Sequence, residues 1–266
     1  MCLSSFNSIA YFASVIEEPP NILTLVYQLF QDTPWAQFMH AYENIFFSII
    51  AALLVALFFQ IGLRKRELIP EGAQNFVETF VESILKIISG VLGPDGVKYI
   101  PFLGTLFIYI LVMNLMGLVP LMKAPSSSLN ITIALALCVF FYVQYLNVKN
   151  FGFFGFLHHM AGSPKNLQGW LLAPILFPLE LLSQISRPVT LSLRLFGNVM
   201  GEEALIGYFA LAGISYFIHD YFPLGLPLQL PFMLLGLLTS FMQALVFTLL
   251  STVYILLSKP DEKHGH

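Results

Sequence analysis

Apolar residues run along this chain in blocks of membrane-spanning length, and polar residues collect at the ends of those blocks. The first block, Asn44 to Leu63, is closed by Arg64-Lys65-Arg66. The second, Tyr99 to Met122, is closed by Lys123, and the third, Leu129 to Val148, by Lys149. Each approaches the ~20 apolar residues that a helix needs to cross a bilayer. A fourth apolar region extends from Asn166 to Ile218. A last one runs from Tyr221 to Ser258, with its spanning part starting near Leu228. The blocks are continuous rather than alternating, which argues against barrel strands. Between the first two blocks, Phe76, Val77, Phe80, Val81, Ile84, Leu85 and Ile88 recur at three- and four-residue spacing, while Glu78, Glu82 and Lys86 form a polar row. With Pro70 before it and Gly93-Pro94 after it, this stretch predicts an amphipathic helix at the cytoplasmic interface rather than a span. The same pattern suits docking against a partner helix. The expected fold is an all-α polytopic membrane protein of about five membrane helices plus an interfacial amphipathic helix. A single membrane domain, 44–258, is expected between an N-terminal outer segment, 1–43, and a cytoplasmic tail, 259–266.

Composition removes the other classes. Of 266 residues, 57% are hydrophobic and only 10% charged, against about 25% charged in soluble domains. So few charges cannot coat a water-exposed globule. Two cysteines, Cys2 and Cys138, do not make a disulfide scaffold. A net charge of −3, with Arg64-Lys65-Arg66 the sole basic cluster, speaks against nucleic-acid binding. Met1 to His40 holds no Lys or Arg, so the basic start of a signal peptide is missing. Arg64, Lys65, Arg66, Lys86, Lys98, Lys149, Lys165, Lys259 and Lys263 fall on one side of the predicted spans, and only Lys123 on the other. The positive-inside rule then places the N-terminus outside and the C-terminus in the cytoplasm. Six crossings would require 70–92 to span.

The fourth region carries the candidate chemistry. Its roughly 50 residues would extend about 75 Å as one helix, more than twice the hydrocarbon thickness of about 30 Å. It must therefore break, tilt strongly or lie partly in the membrane plane, and Pro174, Pro178 and Pro188 are candidate kinks. Glu180, Ser183, Arg187, Thr190, Arg194 and Asn198 recur at three- and four-residue spacing. At about 100° per residue all six fall within roughly 40° of Arg194, Glu202 about 80° away and Glu203 about 180° away. A charge at a spanning helix's centre costs roughly 2.5–3.5 kcal/mol on insertion scales, and arginine cannot escape by losing its proton. Arg194 needs an anion or a water-filled cavity. A fixed ion pair with Glu180, Glu202 or Glu203, or snorkelling to the surface, would be a purely structural answer. An ion pathway holding a permanent cation is the functional one. Gln243, mid-way along the last block, serves either a helix–helix hydrogen bond or that pathway. Asn114, Asn130 and Thr132 suit helix–helix hydrogen bonds, and Cys138 a small packing position. The six histidines lie outside the spans without metal-ligand spacing.

Ser186-Arg-Pro-Val-Thr-Leu-Ser-Leu-Arg-Leu-Phe-Gly-Asn198 resembles the signature of subunit a of the F-type rotary ATP synthase. Met113-Asn-Leu-Met-Gly-Leu-Val-Pro120, Pro125-Ser-Ser-Ser-Leu-Asn-Ile-Thr132 and Leu234-Leu-Gly-Leu-Leu-Thr-Ser-Phe-Met-Gln-Ala-Leu245 match in the family's order, so the resemblance runs from about His40 to the end. It implies a non-catalytic stator subunit without cofactor or metal, partnered by the rotor c-ring, the peripheral-stalk b subunits and the lipid bilayer. The expected site is a bacterial inner membrane rather than a thylakoid. It implies that Arg194 faces the ring carboxylate, with Gln243 beside it and Asn198 one turn on. Glu203 would line the outer half-channel, and Glu180, Ser183, Ser186 and Thr190 the cytoplasmic one. A horizontally tilted helix pair would explain the overlong fourth region. The conducted ion, H⁺ or Na⁺, is selected on the ring. Two positions depart from the pattern. Gly236 stands where some members place a histidine, and Gly117 where many place an aspartate. The outer path is therefore expected to use Glu202 with Glu203. Rival readings are a transporter or channel acting alone, an intramembrane hydrolase and a structural scaffold. The hydrolase lacks a Gly-x-Ser-x-Gly or His-Glu-x-x-His motif.

Overall fold

The computed structural model describes residues 21–30, 33–62, 72–160, 167–217 and 227–259. Among these the chain forms eight α-helices and no strand. They are α1 (Ile22–Leu29), α2 (Pro34–Ala41), α3 (Glu43–Gly62), α4 (Ala73–Leu92), α5 (Ile100–Met116), α6 (Leu129–Met160), α7 (Leu167–Phe217) and α8 (Leu230–Leu257). Tight 3-10 turns, Pro94–Tyr99 and Pro125–Ser127, precede α5 and α6.

Four stretches are long and apolar enough to cross a membrane: Glu43–Gly62, Pro94–Met116, Leu129–Gly152 and Leu230–Leu257. They correspond to the first, second, third and last predicted blocks. The fourth region is the long helix α7, which carries Glu180, Arg187, Arg194, Glu202 and Glu203 and is not among the four. Half of the α5 window is buried inside the chain, against 17% for α3, so α5 is the central helix and α3 a peripheral one. Leu103, Ile110 and Met113 of α5 are fully enclosed, with Phe47 and Ala51 of α3, Ile88 of α4 and Phe247 of α8 in the same core. Small and hydroxyl residues on α8, among them Ser240, Ala244, Thr248, Ser251 and Thr252, are buried and let neighbouring backbones approach. Thr248, Ser251 and Thr252 satisfy their hydroxyls on the carbonyls of Ala244, Phe247 and Thr248.

The amphipathic helix forms as α4. It buries Val77, Ile84, Ile88 and Leu92 and packs on α3, α5 and α8. Part of its apolar face is thus covered by the chain's own helices, while Phe76, Glu82 and Lys86 stay exposed.

The fourth region does not break. α7 is one helix of 51 residues that passes through Pro174, Pro178 and Pro188. Each proline removes one hydrogen bond but need only bend the helix, since neighbouring helices can satisfy the freed groups. The helix in front of it does change direction: at Gly152 of α6 the backbone turns to φ 71° and ψ 165°, which glycine adopts without a Cβ clash. α7 packs most extensively on α6 and also on α8. Leu191, Leu195 and Val199 form its core-facing stripe.

At the end opposite the tail, the N-terminal helices are fastened to the α5–α6 connection. The Asn21 side chain caps α1 by accepting from Thr24 N at 2.8 Å. The Ile22 amide donates to the Leu121 carbonyl at 2.9 Å. Lys123 Nζ lies 2.7 Å from Glu43 Oε1, with both side chains only 10–12% exposed. Sequence alone casts Lys123 as a topology marker; it is half of a largely enclosed ion pair. Cys138 lies exposed on α6.

Candidate functional site

The polar stripe of α7 exists, and it points away from the chain's core. Ser183, Ser186, Thr190, Arg194 and Asn198 are all exposed, and Glu180 is half-buried. The core-facing stripe of Leu191, Leu195 and Val199 lies on a different side of the same helix. Leu195, at the centre of the core-facing stripe, projects about 100° from Arg194.

Arg194 sits in the middle of the outward stripe. No described carboxylate is within ion-pair distance of it. The structural answer expected as an alternative, a fixed pair with Glu180, Glu202 or Glu203, is therefore not formed. Arg187 differs from its neighbours in the stripe. It is half-buried and lays its guanidinium over the Tyr254 ring of α8, 5.2 Å from the centroid, a cation–π contact.

One turn beyond Arg194, Asn198 reaches α8. Its Nδ2 donates to Gln243 Oε1 at 2.7 Å, and Gln243 is buried. Gln243 Nε2 has no partner among the described residues and is shielded from water. The two residues singled out on separate helices thus meet directly, in line with the cost of an unpaired amide in an apolar setting.

The two adjacent carboxylates are seated on different neighbours. Glu202 turns to α8, where the Thr239 hydroxyl donates to its Oε2 at 2.8 Å. Gly236 is what makes room: a Cβ there would overlap the Glu202 carboxylate and come within 2.9 Å of Leu118 Cδ2. Glu203 turns instead to the α5–α6 connection and accepts from the Ala124 amide at 3.2 Å. A Cβ on Gly117 would lie 3.4 Å from Glu203 Oε1 and 2.9 Å from Ala124 Cβ. The two glycines that depart from the resembled pattern are the two positions against which the carboxylates rest. Nearby, Ser126 donates to Asn114 Oδ1 at 2.7 Å, and Asn114 Nδ2 is buried without a partner among the described residues.

At the other end of the stripe, Glu180 Oε1 accepts from Gln184 Nε2 at 3.3 Å, and Gln184 Oε1 accepts from Gln144 Nε2 of α6 at 2.8 Å. Sequence reasoning did not single out Gln184, Gln144 or Thr239. Gln144 stood in the open as a polar residue inside the third apolar block. Gln184 stood one turn after Glu180. Thr239, a neutral hydroxyl, gave no comparable signal.

The sequence model of the family described as "ATP synthase A chain" matches residues 45–256. A protein of Protochlamydia amoebophila named "ATP synthase subunit a" is 62% identical over 247 residues, covering 93% of this chain and 91% of that protein. Proteins of the same name from Trichlorobacter lovleyi and Moorella thermoacetica are 41% and 38% identical. They cover 78% and 82% of this chain and 82% and 88% of their own lengths.

Proposed function

The chain belongs to the ATP synthase A chain family, a membrane-sector family of ATP synthesis and ion transport, and from that premise we propose that it is the ion-conducting stator subunit of a rotary ATP synthase. In this reading it carries no catalytic step. It offers two aqueous half-channels that reach opposite sides of the membrane and meet only through the carboxylates of a rotating c-ring. Peripheral-stalk b subunits hold it against the turning ring. The bacterial relatives favour a bacterial inner membrane, and the distribution of Lys and Arg an outer N-terminus and a cytoplasmic C-terminus.

The mechanism follows from charge in a medium of low dielectric constant. A ring carboxylate must be neutral to travel through lipid, because a bare anion there is costly. Glu203 and Glu202 line the outer path that delivers the proton. Opposite Arg194 the guanidinium favours the ionised form, so the carboxylate releases its proton to the other path. Ser183, Ser186, Thr190 and Glu180 line that cytoplasmic path. Gln243 and Asn198, hydrogen-bonded to each other, close the space between α7 and α8 beside Arg194. The fixed cation also repels protons, so the two paths do not short-circuit. Each charge that crosses 100 mV gains about 2.3 kcal/mol.

The observation that carries this reading is an arginine exposed on the outside of the chain, with no carboxylate partner among the described residues, on a helix whose other side is core. The test is Arg194→Ala in membranes containing the whole complex. Assembly is expected to survive and ATP synthesis from an imposed proton gradient to vanish. Synthesis at the wild-type rate would overturn the assignment.

A further inference from the structure

The half-buried Glu180 stands at the end of a line of amides that no half-channel role explains. Asn147 Nδ2 donates to Gln144 Oε1 at 3.4 Å, Gln144 Nε2 to Gln184 Oε1 at 2.8 Å, and Gln184 Nε2 to Glu180 Oε1 at 3.3 Å. Along the line Gln184 turns its NH₂ towards Glu180 and its carbonyl oxygen towards Gln144, and the Gln144 carbonyl oxygen accepts from Asn147. Each donor polarises the next, and the chain ends on the carboxylate. Gln184 is only 8% exposed. The line borders a cavity of about 20 Å³ lined by Val139, Phe140 and Val143 together with Gln144, Gln184 and Arg187. A buried amide such as that of Gln184 is costly unless paired.

We propose that Gln184 and Gln144 are positioning residues for proton release: they hold the Glu180 carboxylate in one orientation towards the outward face of α7. The proposal rests on the reading of Glu180 as a cytoplasmic half-channel residue. Gln144 acts across the α6–α7 interface, so the contact between these helices sets the geometry at the mouth of the path. Arg187, on Tyr254, borders the same cavity and is the charged group of α7 nearest to this line in sequence.

The test uses inverted membrane vesicles with the complete complex and measures ATP-driven proton pumping against pH. Gln184→Leu removes the donor at nearly constant volume and is expected to slow pumping on the order of fivefold, the size of one hydrogen bond of ordinary strength. The pH profile should move, which loss of assembled complex alone would not cause. Glu180→Gln should also slow pumping, and Gln184→Leu added to it should change neither rate nor profile further. Gln144→Leu breaks the same line without touching α7. It should reproduce the Gln184→Leu profile even where that variant assembles poorly. A normal rate in both Gln variants with a slow Glu180→Gln overturns this proposal alone. A full additional loss in the double variant overturns it equally. A wild-type rate in Glu180→Gln overturns the half-channel role of Glu180 and this proposal with it.

Discussion

Replacing Lys123 with methionine keeps the aliphatic stem and removes the charge that faces Glu43. The partners are 2.7 Å apart and 10% and 12% exposed, so this pair is largely enclosed rather than a surface one. Breaking a buried pair by removing one member costs about 3–5 kcal/mol, because the other charge is left without compensation. Glu43 would keep two weaker neighbours. Asn21 Nδ2 lies 3.3 Å from its Oε2, and His40 Nδ1 is 3.5 Å away but 44% exposed. These pull the expected loss to the lower end, about 3 kcal/mol, or about a hundredfold in the unfolding equilibrium at 1.4 kcal/mol per factor of ten. Removing both charges, as Lys123→Met with Glu43→Leu, takes away the uncompensated anion as well. That double variant should lie within about 1 kcal/mol of wild type or above it. The assay is unfolding of the purified membrane sector by SDS titration in mixed micelles, followed by the fluorescence of Trp35 on α2. A loss below about 1 kcal/mol for Lys123→Met would refute the reasoning, since that is the worth of an exposed pair. So would a double variant as unstable as the single one.

Two further outcomes follow from the carboxylate seats. Gly236→Ala places a methyl group on the Glu202 carboxylate; ATP-driven proton pumping should fall several-fold, and Glu202→Asp in the same chain, one methylene shorter, should recover part of it, with no recovery arguing against the contact. Glu203→Gln keeps an oxygen that can accept from the Ala124 amide, so the thermal stability of the complex should change by less than about 1 kcal/mol while proton uptake slows, and an unchanged uptake rate would remove Glu203 from the outer path.

Much of this fold was legible in the order of residues because membrane burial is a coarse, long-range signal. Four apolar blocks and the amphipathic stretch became α3, α5, α6, α8 and α4, since a run of about 20 apolar residues has few other fates. The length of α7 was legible, but its continuity was not. Prolines 174, 178 and 188 mark missing hydrogen bonds, and whether a helix bends or ends there depends on neighbours from other parts of the chain. Arg194, Asn198 and Gln243 were found because polar groups are rare in apolar blocks, and the bond from Asn198 to Gln243 shows that two of them share one place. The seats of Glu202 and Glu203 were less visible. A glycine's lack of side chain carries no signal about what occupies the space it leaves. The Glu43–Lys123 pair joins residues 80 apart, and the charges at block ends that announce topology do not announce their partners.

The placement of Arg194 makes its charge available, and that is an energetic statement as much as a geometric one. A guanidinium in an apolar setting loses several kcal/mol of hydration. Most buried cations recover this from a carboxylate in their own chain, as Lys123 does from Glu43. Glu180 is occupied by Gln184, Glu202 by Thr239, and Glu203 by the backbone of Ala124. Each carboxylate that sequence offered as an internal partner is thus bonded to another group, and no described carboxylate pairs with Arg194. In the proposed mechanism the recovery comes from the ionised ring carboxylate, and only while it is ionised. The same interaction free energy that Arg194 lacks at rest is then what favours proton release from the ring. A carboxylate from within the chain that neutralised Arg194 would leave the fold intact and remove that driving force.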